Sequence, residues 1–187
     1  MLTVANREVS GPAARGWEAD AALTDLYAVH WASLVRLSWL LIGDQQVAEE
    51  TVQDAFVAMH SRWSELRNQD LALAYLRRSV VNGSRSVLRH RRVEDRYLVA
   101  QTNTLSAGGL TVHPSAESQA ATQAAGERLV AALGRLPRRQ REVLTLRYYL
   151  DLTEAQIADA LSISAGSVKT HAHRGLAALR SDVEGTS

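Results

Sequence analysis

The sequence contains no cysteine, so disulfide bonds and cysteine-ligated zinc sites are excluded. It has one phenylalanine and three prolines among 187 residues, while Ala, Leu, Arg and Glu abound, a balance that favours helices over sheets. No run of about 18 apolar residues occurs, and residues 1–20 lack the apolar stretch of a signal peptide. We therefore expect an all-α, cytoplasmic protein that does not insert into a membrane.

The net charge of +1 conceals a strong segregation of charge along the chain. Residues 77–96 contain seven Arg against two acids, residues 128–147 contain six Arg against one acid, and every charge in residues 44–54 is acidic. Segregated charge on a nearly neutral chain indicates separate surfaces with separate partners. The alternative is a set of solvated helix faces without partners.

The apolar spacing predicts two small helical domains. Helical periodicity begins at Leu23, a Gly43-Asp44 pair ends one helix and starts the next, and a third helix is predicted at about 72–92. Residues 97–121 carry almost no charge and no periodicity, which is typical of a flexible linker. The predicted division is a disordered tail at 1–20, a first domain at 21–96, the linker at 97–121, a second domain at 122–183 and a tail at 184–187.

Residues 151–180 have the pattern of a helix-turn-helix. Thr153 and Gln156 have the spacing of a capping box, and Ser162 stands where such turns usually carry Gly, so a positive φ is expected there. The second helix suits a major groove, although an ordinary helical hairpin with a polar face is the alternative. Neighbouring His171 and His173 point to different sides of a helix, so we predict no metal site. The residues predicted to contact DNA are Ser167, Lys169, Thr170, His171 and Arg174.

A row of polar side chains lies opposite the apolar stripe of the third helix. Guanidinium groups in such a row suit phosphates, and one amide adds capacity for base edges. The predicted row is Arg78, Asn82, Arg85, Arg89 and Arg92. Trp63 and Tyr75 flank the preceding loop, where they either stack on unpaired bases or anchor the core.

The second helix supplies the contrasting acidic surface. Glu50 and Asp54 are like charges four residues apart, with Glu49 and Gln53 beside them. Because this surface repels DNA, it meets either a basic protein partner or water.

Four stretches in series carry a family resemblance: LLIGDQQVAEETVQDAF (40–56), AYLRRSVVN (74–82), LPRRQREVLTLRY (136–148) and residues 153–180. Together they resemble bacterial RNA polymerase sigma factors of the extracytoplasmic-function group, in particular the actinobacterial sigma-E-like subfamily. The resemblance covers about residues 21–183. Two departures are Tyr75, where Trp is common, and His171, where Arg or Gln is frequent.

The resemblance implies a role for each part of the chain. The third helix and its preceding loop would bind and help melt the −10 promoter element, while 167–174 would bind the −35 element and the opposite face would meet the polymerase β flap. An anti-sigma protein is a further partner whose existence the sequence leaves open, and neither catalysis nor a cofactor is implied. The residues implied to bind the β′ clamp coiled coil of core polymerase are Asp44, Glu49, Glu50, Gln53, Asp54 and Phe56.

Three other functions are alternatives. The segment SVKTH (167–171) resembles the recognition helix of response-regulator output domains, which bind duplex DNA without joining polymerase. The upstream Arg row and acidic helix argue against that function. An enzyme would need a clustered nucleophile, a phosphate loop or a metal set, and none appears. A protein-only adaptor would leave both basic surfaces without a purpose.

Overall fold

The computed structural model describes residues 12–63, 69–101 and 117–184, and all regular structure in these ranges is helical. This confirms the predicted all-α class, with two helical domains. The first domain holds α1–α3 and the second is built on α5–α7, with α4 leading into it. The helices are α1 (Pro12–Ile42), α2 (Gln45–Ser61), α3 (Gln69–Gln101), α4 (Glu117–Arg135), α5 (Arg138–Tyr148), α6 (Glu154–Leu161) and α7 (Ala165–Glu184).

The turn between α1 and α2 forms as the sequence predicts. Gly43 has φ 83°, and its N–H donates to the Trp39 carbonyl at 2.8 Å, which ends α1. Asp44 then caps α2, because its Oδ1 accepts from the Val47 N–H at 3.1 Å. The predicted apolar stripe of α2 is buried against α1 and α3: Ala48, Val52, Ala55, Phe56 and Met59.

The long helix α3 packs its apolar side against α1 and α2. Leu76 and Val80 are fully buried there. A buried hydrogen bond joins the Ser38 and Ser84 hydroxyls at 3.2 Å and fixes α1 against α3. This packing determines which side of α3 remains outside the first domain.

The second domain lies directly against the first. Helices α4 and α5 contact α1, and α6 contacts α3. Gly126 allows α4 to approach α1 closely, since a Cβ at this position would lie 3.1 Å from the Trp39 ring. The buried apolar residues of both domains form one continuous cluster.

Two predicted boundaries were wrong. Helix α1 begins at Pro12, inside the predicted disordered tail, because proline suits the first helical turn and the Ala-rich residues that follow favour the helix. Helix α3 continues to Gln101 and α4 begins at Glu117, so helix occupies both ends of the predicted linker. The middle of that linker, 102–116, and most of the predicted loop, 64–68, lie outside the described residues, as do 1–11 and 185–187. No described helix has the length and apolarity that crossing a bilayer requires.

Candidate nucleic-acid interface

Local hydrogen bonds fix the start of the predicted recognition helix, α7. The capping box is present, with Thr153 Oγ1 accepting from the Gln156 N–H at 3.3 Å and Gln156 Oε1 accepting from the Thr153 N–H at 2.9 Å. Ser162 has φ 52°, the left-handed conformation expected from its place in the turn. Ser164 Oγ accepts from the Ser167 N–H at 3.1 Å and caps α7. These caps set the direction of α7 relative to α6.

Burial divides α7 into the two predicted sides. Val168 and Ala172 are buried against the domain. Arg174 is exposed and makes no hydrogen bond or ion pair with the described side chains. The five predicted DNA-contacting residues divide into three exposed ones and two half-buried ones: Lys169, Thr170 and Arg174, then Ser167 and His171.

Glu154 connects α6 to both of its neighbours. Its Oε1 accepts from Arg147 Nη1 at 3.3 Å, and its Oε2 lies 3.6 Å from Lys169 Nζ. The Lys169 side chain is 70% exposed, so this ion pair is weak and leaves the ammonium accessible to an anion.

His171 is placed differently from the other outward residues. Its Nδ1 atom is buried and has no hydrogen-bond partner among the described residues, so one nitrogen of the ring faces the protein. The described side chains also hold no group of three or more His, Asp or Glu residues positioned to bind a metal ion. The contribution of His171 to DNA contact therefore stays a prediction.

The residues of the predicted polar row on α3 lie in two different environments. Arg89 and Arg92 are exposed, and Arg89 Nη2 donates to Ser86 Oγ at 3.4 Å. Arg78 Nη2 donates to Ser162 Oγ at 3.0 Å, a bond from the first domain to the turn before α7. Part of the row thus faces solvent, and part of it faces the second domain.

Arg85 is the most fully engaged member of this row. Its Nε and Nη2 donate to the two carboxylate oxygens of Glu142 at 2.7 and 2.9 Å, and its Nη1 donates to Asn82 Oδ1 at 3.0 Å. The Glu142 side chain is only 3% exposed and also lies 3.0 Å from Arg139 and 3.7 Å from Arg138. Every guanidinium nitrogen of Arg85 therefore has a partner within the chain.

Arg141 supplies a second link between the domains. Its Nη1 donates to the Leu41 carbonyl at 2.7 Å, and its Nη2 donates to the Gly134 carbonyl at 2.8 Å. Burial is the main cause that lowers the pKa of Arg141, while the neighbouring Glu142 carboxylate raises it. Sequence reasoning assigned no role to Arg141 or Glu142, because their partners in the first domain lie 100 and 57 residues away, and local spacing carries no signal of such contacts.

The acidic surface of α2 is exposed at four of its predicted positions: Glu49, Glu50, Gln53 and Asp54. Glu49 accepts from Gln45 at 2.7 Å, a bond along the helix that leaves the carboxylate at the surface. Asp44 is partly occupied by the helix cap and by Arg91, whose Nη2 donates to it at 2.8 Å. Phe56 differs from the rest, because it is 5% exposed and packs against the Tyr27 and Trp31 rings.

The two aromatic residues near the predicted loop are half-buried. Trp63 and Tyr75 both pack against the hydrophobic core. Their rings therefore serve as anchors of the first domain in this arrangement, and stacking on bases stays a prediction.

Comparisons with known proteins identify the family of this chain. The family described as Sigma-70, region 4 matches residues 126–179, which span most of α4 through α7. The RNA polymerase sigma-E factor of Streptomyces avermitilis is 32% identical over 154 residues, which cover 81% of this chain and 79% of the relative. The ECF RNA polymerase sigma factor SigL of Mycobacterium tuberculosis is 31% identical over 92% of this chain and 93% of its own. The chain belongs to the extracytoplasmic-function group of RNA polymerase sigma factors.

Solved structures support the fold of this sigma factor. It is similar to CnrH in complex with the cytosolic domain of CnrY, with a TM-score of 0.67, 21% identity and coverage of 92% of this chain and 96% of the other. It is also similar to the sigma factor RpoE in complex with the anti-sigma factor NepR from Bartonella quintana, with a TM-score of 0.61, 19% identity and coverage of 91% and 97%. As a sigma factor, the chain acts in transcription initiation by RNA polymerase. The similarity to full-length sigma factors also disfavours the response-regulator alternative, which would account for only the second domain.

Proposed function

We propose that this sigma factor reads the −35 promoter element with α7, engages the −10 element with α3, and binds core polymerase through α2. The observation that carries the proposal is the exposed side of α7. This helix is capped and held by α6, and Lys169, Thr170 and Arg174 make no strong ion pair with any residue that the structure describes. A helix presented in this way fits the major groove, where such groups reach base edges and phosphates.

The −35 contact depends on two kinds of group. Arg174 makes no described internal bond, so its guanidinium is available for a bidentate contact with a base edge. Lys169 lies to the side of this surface and suits phosphate oxygens, which fix the register of the helix on DNA. Thr170 lies one turn before Arg174, and its hydroxyl, which donates to the Gly166 carbonyl at 3.0 Å, keeps its oxygen available as an acceptor. Ser167, at the first turn of α7, adds a hydroxyl near the positive end of the helix dipole.

The −10 contact is assigned to the polar row of α3, with Trp63 and Tyr75 at the approach to it. Arg89 and Arg92 offer exposed guanidinium groups to phosphates, and Asn82 offers an amide to a base edge. A sigma factor stabilises melted DNA by holding unpaired bases, which needs no hydrolysis of ATP by the sigma factor itself. We therefore assign no catalytic function and no cofactor to this chain.

The partner of the acidic α2 surface is a basic protein surface on core polymerase. Glu49, Glu50 and Asp54 repel DNA but complement a cationic coiled coil such as that of the β′ clamp. Phe56 supports this surface from beneath through its packing with Tyr27 and Trp31. The outer side of the second domain would meet the β flap.

The place of action is the cytoplasm, where promoter DNA and polymerase are found. An anti-sigma factor is a further partner class. Two similar structures support it: the sigma factor RpoE is bound to the anti-sigma factor NepR in one, and CnrH is bound to the cytosolic domain of CnrY in the other. These assignments go beyond membership in the family and rest on the surfaces described above.

The deciding experiment is transcription in vitro with purified core polymerase and this chain on genomic templates. We expect specific start sites, and their absence would contradict the proposed function. Replacing both Arg85 and Arg89 by Ala should reduce permanganate reactivity of the −10 region more than it reduces binding to core polymerase. Equal losses of the two would remove the α3 row from promoter melting. A regulator of the response-regulator type would instead bind duplex DNA alone and leave core polymerase unoccupied.

A further inference from the structure

The two DNA-binding surfaces are not equally accessible, because the second domain covers part of α3. Two residues assigned to the −10 contact reach across to it: Arg78 bonds Ser162 in the turn before α7, and Arg85 pairs with Glu142 of α5. Arg141 and Tyr149 cross in the opposite direction, to the carbonyls of Leu41 and Ser33, at 2.7 and 3.2 Å.

The Arg85–Glu142 pair has the geometry of a phosphate contact. Two parallel N–H donors meet two carboxylate oxygens at 2.7 and 2.9 Å, the same bidentate arrangement in which arginine holds two oxygens of a phosphate. The third nitrogen of Arg85 is bonded to Asn82 Oδ1, so the amide assigned to a base edge is engaged as well. DNA can use the Arg85 guanidinium fully only after Glu142 leaves.

Glu142 is well suited to hold this position. It is nearly fully buried, and the nearby guanidinium groups of Arg138 and Arg139 offset the cost of burying its charge. Its partner Arg85 is 18% exposed, so the ion pair is sheltered from solvent and weakly screened by salt.

We infer that the Arg85–Glu142 pair is an autoinhibitory clasp, in which an internal carboxylate occupies the place of a DNA phosphate until the two domains separate. This inference rests on the proposed role of α3 in DNA binding. Interfaces between domains of one chain often open reversibly, and the polar bonds across this one can be exchanged for bonds to water, while the apolar residues buried between the domains add to the cost of opening. The closed state lowers the apparent DNA affinity of the α3 row by the fraction of molecules that are open, about a hundredfold if one molecule in a hundred is open.

The test uses the full chain, whose lack of cysteine permits selective spin labelling after the changes Ala58→Cys on α2 and Ala177→Cys on α7, both at exposed positions. We expect one narrow distance distribution in the parent protein. Glu142→Gln keeps the size of the side chain but removes its charge, and it should add a longer, broader population. An unchanged distribution would overturn the clasp.

A binding measurement tests whether the opening exposes α3. The probe is a fluorescent 20-nucleotide oligothymidine, added without polymerase. Glu142→Gln should bind it up to about a hundredfold more tightly if about one parent molecule in a hundred is open. The matched control is Asp159→Asn, which removes the same charge from an exposed residue of the second domain that belongs to neither proposed DNA-binding surface, and it should change neither the distance distribution nor the affinity for oligothymidine. An equal gain in both variants would reduce the effect to net charge and overturn the inference.

A second variant and a transcription assay cover the cases in which Glu142→Gln does not fold or the proposed function is wrong. If Glu142→Gln does not fold, judged by circular dichroism, Arg85→Gln breaks the same pair while leaving Glu142 beside Arg138 and Arg139, and the distance measurement then decides. Transcription by the parent protein with core polymerase is measured in parallel. A failure there contradicts the proposed function, whereas the distance and oligothymidine results still decide whether the clasp exists.

Discussion

Helices α3 and α7, the two helices proposed to bind DNA, differ in what their polar groups already contact. On α7, Arg174 and Thr170 are exposed, and the ion pair of Lys169 with Glu154 is weak because the Lys169 side chain is 70% exposed. On α3, the central Arg85 has a partner at each nitrogen. The surface that faces outward in this arrangement is therefore the one on α7.

The difference shows that a row of arginines along a helix does not define a free cationic surface. Helical spacing places Arg85 and Arg89 on one side of α3, yet one is sheltered by a neighbouring domain and the other is exposed. The effective charge of such a row depends on tertiary contacts, which position along a helix does not describe.

The largest expected effect comes from comparing Arg85 with Arg89. Arg85→Ala leaves the buried Glu142 with only Arg138 and Arg139, and we expect the free energy of unfolding to fall by roughly 3 kcal/mol. Arg89→Ala removes an exposed side chain and should change stability by about 0.5 kcal/mol at most. Urea unfolding of the two variants measures this, and equal losses would mean that the two ends of the row are equivalent.

The next effect concerns the exposed surface of α7. Arg174→Ala should weaken binding to a duplex containing the −35 element by about 1–3 kcal/mol if the guanidinium reads a base. Fluorescence anisotropy at fixed salt gives the affinity, and Arg180→Ala, an exposed change further along α7, is the control. An unchanged affinity for Arg174→Ala would remove this residue from the interface.

A smaller effect tests the contact between the domains through two glycines of α4. Gly134→Ala meets no atom within 4 Å, so it should raise stability by about 0.5–1 kcal/mol through helix propensity. Gly126→Ala places its methyl group 3.1 Å from the Trp39 ring, and this crowding should cancel the same gain or reverse it. Thermal unfolding of both variants gives the comparison, and an equal rise in both would indicate that α4 is not held tightly against α1.

The smallest effect depends on pH and concerns the first domain. Burial, and secondarily the positive charge of Arg77, lower the pKa of His30. The unfolded chain then takes up the proton first, so the stability present above about pH 6.5 declines as the pH falls through that value. His30→Gln should lessen this decline between pH 7.5 and 5.5, measured by urea midpoints. The same decline in His30→Gln as in the parent protein would show that another group is responsible.

Local features of this fold were predictable from the sequence, and contacts between its domains were not. The Gly43-Asp44 turn, the Thr153 capping box and the positive φ of Ser162 each depend on residues a few positions apart, so the sequence predicted all three. The bond from Arg85 to Glu142 spans 57 positions and depends on how the two domains pack. The predicted start of α1 was too late because the disorder expected from Gly11 and Gly16 did not outweigh the helix-favouring Pro12 and its Ala-rich neighbours.

Arg141 has a consequence for how the two halves of the chain are joined. Its guanidinium bonds carbonyls in the last turns of both α1 and α4, so the negative ends of two helix dipoles share one counter-charge. A lysine has a single ammonium and lacks the forked geometry needed to serve two helix ends at once. Arginine at position 141 thus places one positive charge between the C-terminal ends of α1 and α4. When the domains part, the end of α1 loses this counter-charge.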